Sequence, residues 1–116
     1  MIGPIARWFH LRFQRQAAPR WIRVNAWIDT AFTGELVIPS ETVKELGLAK
    51  SSAVMAGLAD GREVVLDTFS CLVEWFGEQR QVEVVESDGL LSLLGIGLLH
   101  GRRLEIDYRL RTVNLD

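Results

Sequence analysis

The feature that most constrains the fold is an apolar strand pattern that ends in a single acid. Every second residue between Trp21 and Ile28 is apolar, which predicts a strand with one buried face: Ile22, Val24, Ala26 and Ile28. Asp29 follows directly, and residues 30–34 contain small residues, one aromatic residue and a Thr-Gly turn. An ionised carboxylate at the end of a buried strand is unfavourable unless hydrogen bonds or a second titrating group compensate it. The segment therefore indicates either a site that uses Asp29 or a tight loop in which Asp29 accepts backbone N–H groups.

Length and composition predict one domain spanning residues 1–116. A chain of 116 residues with 48% hydrophobic and 24% charged residues is typical of a single folded core. The formal net charge of −2 gives no electrostatic basis for binding nucleic acid or an anionic membrane. The longest apolar run, residues 89–99, is shorter than the roughly 20 residues that span a bilayer. With no signal-like apolar stretch at the N-terminus, the expected location is the cytoplasm.

Many short strands and little helix predict an all-β protein, a small closed barrel with one or two short helices. An Asp60-Gly61 pair between two strand patterns predicts a hairpin turn, and Gly77-Glu78 predicts another. Ser40 is the expected N-cap of a helix over residues 41–46, which Gly47 would end. The predicted strands cover residues 5–13, 21–28, 36–38, 53–59, 62–75, 81–85, 104–108 and 112–115, and residues 98–101 form a second helical turn.

Several segments occur in an order that resembles the retroviral-type (retropepsin-like) aspartic proteases, in particular their small prokaryotic single-domain group. The first is Asp29-Thr30-Ala31, similar to the Asp-Thr/Ser-Gly loop of that family. Leu58-Ala59-Asp60-Gly61 then lies where the family carries its flap. Leu93-Leu94-Gly95 is similar to the segment that runs beside the acid loop, and Leu98–Gly101 to the short helix after it. Residues 104–108 resemble the closing strand, so the resemblance extends from about residue 20 to the C-terminus.

The resemblance implies an aspartic endopeptidase that acts on a peptide or protein substrate without metal or organic cofactor. Peptide hydrolysis of this kind needs two carboxylates on one water, one protonated and one ionised. Only Asp29 is followed by the Thr-small pattern, so the second carboxylate must come from a second copy in a twofold homodimer. Asp29 would be the acid/base and Thr30 would hydrogen-bond across the dimer axis. Segments 9–13 and 112–115 are candidates for further interface strands.

Ala31 occupies the place where the family has glycine, and this leaves alternatives open. If the backbone there needs a positive φ, alanine costs about 1–2 kcal/mol; if φ is negative, the methyl group is tolerated. The alternatives are a catalytically inactive, dimeric peptide-binding module and a β-barrel unrelated to proteases. Cys71 is interpreted as a buried, unreactive thiol, and His10 and His100 lack neighbours that would make a metal site.

Overall fold

The computed structural model describes residues 9–14, 21–57 and 60–116. Most of them form strands that are connected by short turns, and two segments form short helices. In chain order the elements are β1 (Phe9–Gln14), β2 (Trp21–Ile28), β3 (Leu36–Pro39), α1 (Ser40–Leu46), β4 (Ala49–Gly57), β5 (Glu63–Trp75), β6 (Glu78–Ser87), β7 (Leu93–Leu94), α2 (Ile96–Leu99), β8 (Leu104–Asp107) and β9 (Thr112–Leu115).

Within the described residues, strands β1 to β7 form one seven-stranded sheet that returns on itself. The strand order is β1-β2-β7-β3-β6-β5-β4, and β1 also pairs with β5 through Arg12 and Phe13, opposite Glu74 and Val73. Six strands therefore form a continuous circuit, and β4 extends from β5 outside it. Strands β8 and β9 form a separate antiparallel hairpin. The predicted all-β barrel with short helices is confirmed.

The core lies inside the strand circuit, because alternate residues of its strands point inward. Strand β3 buries Leu36 and Ile38, and β2 buries Ala26 and Ile28. Burying one such aliphatic side chain contributes about 1.5–3 kcal/mol. Among residues 21–57 and 60–116, the other fully or nearly fully buried hydrophobic residues are Val43, Leu46, Cys71, Val73, Trp75, Val82, Val84, Leu94 and Leu98.

Ile28 lies in a second apolar cluster that attaches the C-terminal hairpin. It is fully buried and packs against residues of α2, β8 and β9: Leu99, Leu104, Ile106 and Val113. The residue directly before Asp29 is therefore held by tertiary contacts to α2 and the C-terminal hairpin. No helix of the described residues has the length and apolar character required to cross a membrane.

The boundaries of both helices differ from prediction. Helix α1 begins at Ser40, not after it, and Pro39 is the N-cap without a side-chain hydrogen bond. The Ser40 hydroxyl instead donates to the carbonyl of Ser87, at 3.1 Å, so Ser40 as N-cap was wrong. Gly47 ends the helix as predicted, with φ of 63°, and its N–H bonds the carbonyls of Val43 and Lys44. Helix α2 begins at Ile96, two residues before the predicted start.

The turn between β5 and β6 lies one residue earlier than predicted. Trp75 pairs with Glu78, so the turn residues are Phe76 and Gly77, with φ of 49° and 80°. A positive φ is unfavourable for an aromatic residue, but a two-residue hairpin turn of type I′ requires it at both positions. The Phe76 ring contacts Trp75 edge-on at 4.9 Å, and the Arg102 guanidinium lies 3.9 Å from its centroid. These contacts offset the backbone strain.

Candidate active site

Asp29 lies at the end of β2, beside the shortest strand of the sheet. Strand β7 runs parallel to β2 and antiparallel to β3, so it lies between them. The Asp29 N–H donates to the carbonyl of Leu94 at 2.9 Å, and the Trp27 N–H donates to that of Ser92 at 2.9 Å. The backbone on the N-terminal side of the acid is thus fixed by β7.

The Asp29 carboxylate is half-buried and oriented by its own loop. Its Oδ1 accepts the N–H of Ala31 at 3.0 Å, and its carbonyl accepts the N–H of Phe32 at 3.2 Å. This is the hydrogen-bonded turn that the tight-loop interpretation of Asp29 required. Orientation of the carboxylate by a backbone N–H also suits an acid that must hold a fixed position, so the turn is compatible with both interpretations.

Ala31 needs no glycine-like backbone. Among residues 21–57 and 60–116, the non-glycine residues with positive φ are Phe76 and Arg111, so φ at Ala31 is negative. Its side chain is exposed, and its N–H is the group that Asp29 holds. Alanine therefore fits this position without the left-handed penalty.

The residues from Asp29 to Glu35, here called the acid loop, are hydrogen-bonded to the Leu94–Gly97 segment. The N–H groups of Gly95, Ile96 and Gly97 donate to the carbonyls of Glu35, Phe32 and Gly34, at 2.8, 2.9 and 2.9 Å. The predicted Leu93-Leu94-Gly95 segment and the Asp29 loop are thus brought together. Each is held by the other's backbone.

Close approach of the two segments explains their glycines. A Cβ at Gly95 would lie 2.3 Å from the Gly34 carbonyl oxygen and 2.4 Å from Cδ2 of Phe32. A Cβ at Gly97 would lie 2.8 Å from the same carbonyl oxygen, and one at Gly34 would lie 2.4 Å from Cζ of Phe32. The sequence reasoning missed Phe32, Gly34 and Gly97; the Gly-Ile-Gly spacing was the available signal.

The Asp60–Gly61 turn lies on a separate hairpin formed by β4 and β5. Gly61 has a φ of 85°, and the Asp60 carboxylate accepts the backbone N–H and the Nε–H of Arg62, at 3.0 and 2.6 Å. Leu58 and Ala59, also predicted for the flap, lie outside the described residues. Along the arms of the hairpin Met55 and Val65 face each other, and both are about two-thirds exposed, at 65% and 66%. They give the hairpin an apolar patch.

Other candidate chemistry in the described part of the chain is weak. No group of three or more His, Cys, Asp or Glu side chains is placed to hold a metal ion there. Burial raises the pKa of the Cys71 thiol to about 12, which keeps it protonated and unreactive at neutral pH. An open pocket of about 270 Å³ is polar, and Asp29 does not line it; its residues are Glu35, Ser51, Ser70, Gln81, Val82 and Glu83.

Solved structures share this architecture. The chain is similar to the EIAV protease complexed with the inhibitor HBY-793, with a TM-score of 0.67 and 14% identity over 87% of this chain and 92% of that one. It is also similar to the retroviral protease-like domain of Ddi1 from Leishmania major, with a TM-score of 0.53 and 13% identity over 96% and 88% of the two chains. No protein-family model matches the sequence, and no match is found among curated proteins. The fold is that of the retropepsin-like aspartic proteases.

Proposed function

We propose that the chain is an aspartic endopeptidase that acts as a homodimer, with one Asp29 from each subunit on a shared water. The observation that carries the proposal is the position of Asp29: a half-buried residue whose carboxylate is oriented by the Ala31 N–H, at the end of β2 in a retropepsin-like fold. A single carboxyl group cannot take a proton from the water and give one to the carbonyl oxygen in the same step, because it is either ionised or protonated. The second acid is therefore expected from the second copy.

In the proposed reaction, the ionised Asp29 removes a proton from the water as the water oxygen attacks the peptide carbonyl carbon. The protonated Asp29 of the other subunit donates its proton to the carbonyl oxygen. Collapse of the tetrahedral intermediate breaks the C–N bond: the nitrogen takes the proton that the first Asp29 removed from the water, and a hydroxyl of the intermediate returns a proton to the second Asp29. Two carboxylates held close together cannot both ionise, so the pair divides into one acid and one base.

The other predicted residues receive supporting roles in this proposal. Thr30 is exposed beside Asp29, and we assign it a hydrogen bond across the dimer axis. The hairpin that carries Asp60 and Gly61 is the proposed flap, and the exposed pair of Met55 and Val65 would supply apolar contact to an extended peptide. The cytoplasm is the proposed location, on the sequence features alone.

Asp29→Asn tests the proposal, because the amide keeps the shape of the side chain and removes its titration. Peptide hydrolysis should fall by more than about 100-fold, on the scale of general acid–base catalysis. Asp88→Asn, at an exposed position of the β6–β7 loop, is the matched control and should retain activity. Circular dichroism establishes that both variants fold. Full activity in Asp29→Asn would exclude the catalytic role.

Sedimentation tests the dimer separately. A protein that is only monomeric at tens of micromolar, a concentration typical of weak specific association, would contradict the two-subunit site. The wild-type pH profile should be bell-shaped, with limbs that belong to the pair of carboxylates.

A non-catalytic peptide-binding module is the second candidate, and one observation favours it. β4 is the end strand of the described sheet, so an extended peptide could add to its outer edge. This candidate is supported if neither wild type nor Ala31→Gly cleaves any member of a diverse peptide library while peptides still bind.

A further inference from the structure

Glu35 is the last residue of the acid loop and contacts two separate parts of the chain. Its carbonyl accepts the N–H of Gly95, at 2.8 Å, on the side of β3 that faces β7. Its side chain turns toward β6 on the other side. There Oε1 accepts the N–H of Glu83 at 3.0 Å, and Oε2 lies 3.6 Å from a guanidinium nitrogen of Arg80.

The carboxylate extends a backbone ladder by one step. Strand β3 pairs in parallel with β6 from Leu36, opposite Val84, onward. Glu83 precedes Val84, so its N–H lies beyond the first residue of β3. The Glu35 carbonyl is already bonded to Gly95, and the side chain supplies the acceptor for Glu83 instead.

We propose that Glu35 is a positioning residue for Asp29: its carboxylate fixes the C-terminal end of the acid loop against β6. The inference rests on the proposed function. The N-terminal end of the loop is held by β7 through Asp29 and Leu94. Without the Glu35 carboxylate, the C-terminal end of the acid loop is bonded to the β7 side through the Glu35 carbonyl. Its first contact with β6 is then the pairing of Leu36 with Val84. Small displacements of a reacting group cost large factors in rate, so a loop fixed on one side would lower kcat.

The contact to Glu83 carries this role, and the contact to Arg80 adds little. The Arg80 and Glu35 side chains are 43% and 25% exposed and are separated by 3.6 Å, which is long for an ion pair in contact with solvent. Glutamine keeps an oxygen at the same reach and can still accept the Glu83 N–H. Aspartate is one methylene shorter and cannot reach it. The proposal therefore predicts that Glu35→Gln resembles wild type and that Glu35→Asp resembles Glu35→Ala.

The test measures steady-state kinetics and amide hydrogen exchange on the full chain. In Glu35→Ala and Glu35→Asp, kcat should fall about 10- to 100-fold, with KM within about threefold. Exchange at the N–H groups of Glu83 and Ala31 should rise by about tenfold or more, because both report on the hydrogen bonds that hold the loop. Glu35→Gln should remain within about threefold of wild type in both measurements. Glu45→Ala, at an exposed position of α1, is the control for loss of a glutamate elsewhere.

Several outcomes would overturn the proposal. The proposal is wrong if Glu35→Ala has the kcat and the amide exchange rates of the wild type. It is also wrong if only the Glu83 N–H exchanges faster while Ala31 exchange and kcat stay unchanged, because the Glu35 side chain would then make a local contact only. Equal losses in Glu35→Gln and Glu35→Ala would show that charge, not the hydrogen bond, matters. If the wild type cleaves nothing, the proposed function fails, while exchange at Ala31 still decides whether Glu35 holds the loop.

Discussion

Replacing Gly95 with alanine tests the packing that positions Asp29. Gly95 has φ of −97° and ψ of 175°, an extended conformation that alanine adopts without strain. The effect of the added methyl group is therefore steric. The new Cβ would lie 2.3 Å from the Gly34 carbonyl oxygen and 2.8 Å from that of Phe32.

The magnitude follows from these distances. Non-bonded heavy atoms pack at about 3.5 Å, so the Leu94–Gly97 segment must move away from the acid loop by roughly 1 Å. The hydrogen bonds from Gly95 to Glu35 and from Gly97 to Gly34, now 2.8 and 2.9 Å, would then be lost or severely weakened. Overpacking costs about 1–3 kcal/mol and each lost hydrogen bond about 1 kcal/mol. The free energy of unfolding should fall by about 3–5 kcal/mol, and Tm by about 12–20 °C.

Urea unfolding followed by circular dichroism measures the change, with Gly57→Ala as the matched control. Gly57 is a strand residue without positive φ, and a Cβ there meets nothing within 4 Å, so its stability should change by less than about 1 kcal/mol. Adding Phe32→Ala to Gly95→Ala should not restore stability, because the obstructing carbonyls remain. The reasoning is refuted if Gly95→Ala lies within about 0.5 kcal/mol of wild type, or if removing the Phe32 ring rescues it.

Two further predictions concern Ala31 and Cys71. Because φ at Ala31 is negative, Ala31→Gly should lower the free energy of unfolding by about 0.4–1 kcal/mol without raising activity, as measured by urea unfolding and peptide hydrolysis; a more active or more stable glycine variant would contradict this. Burial raises the pKa of the Cys71 thiol from 9.0 to about 12, so between these pH values the folded protein keeps the proton while the unfolded chain loses it. Relative to Cys71→Ala, the free energy of unfolding of the wild type should therefore be constant at neutral pH. It should decline between pH 9.0 and about 12, by up to about 1.4 kcal/mol per pH unit. Thiol labelling at pH 8 should likewise require unfolding, and rapid labelling of the native protein would count against burial as the cause.

Local patterns in the sequence were sufficient for many of the elements. The alternation from Trp21 to Ile28 predicted β2 with its observed bounds. This works because the buried face of a strand takes every second residue, and those residues are apolar. Gly47 marked the end of α1 because a left-handed residue is needed there. Ser40 failed as an N-cap for a reason that no local pattern contains: its hydroxyl bonds Ser87, which lies on a strand distant in sequence.

The candidate site was predictable as a set of segments but not as an arrangement. The sequence by itself determined that Asp29 ends an apolar strand and that a Gly-containing apolar segment follows far downstream, because strand period and turn chemistry are written in neighbouring residues. Only the tertiary structure decided the sign of φ at Ala31, the insertion of β7 between β2 and β3, and the reach of Glu35 to Glu83, 48 residues away. These features depend on which backbone segments approach each other once the core is formed. The free energy of each contact depends on both segments, so the sequence of one segment does not determine it.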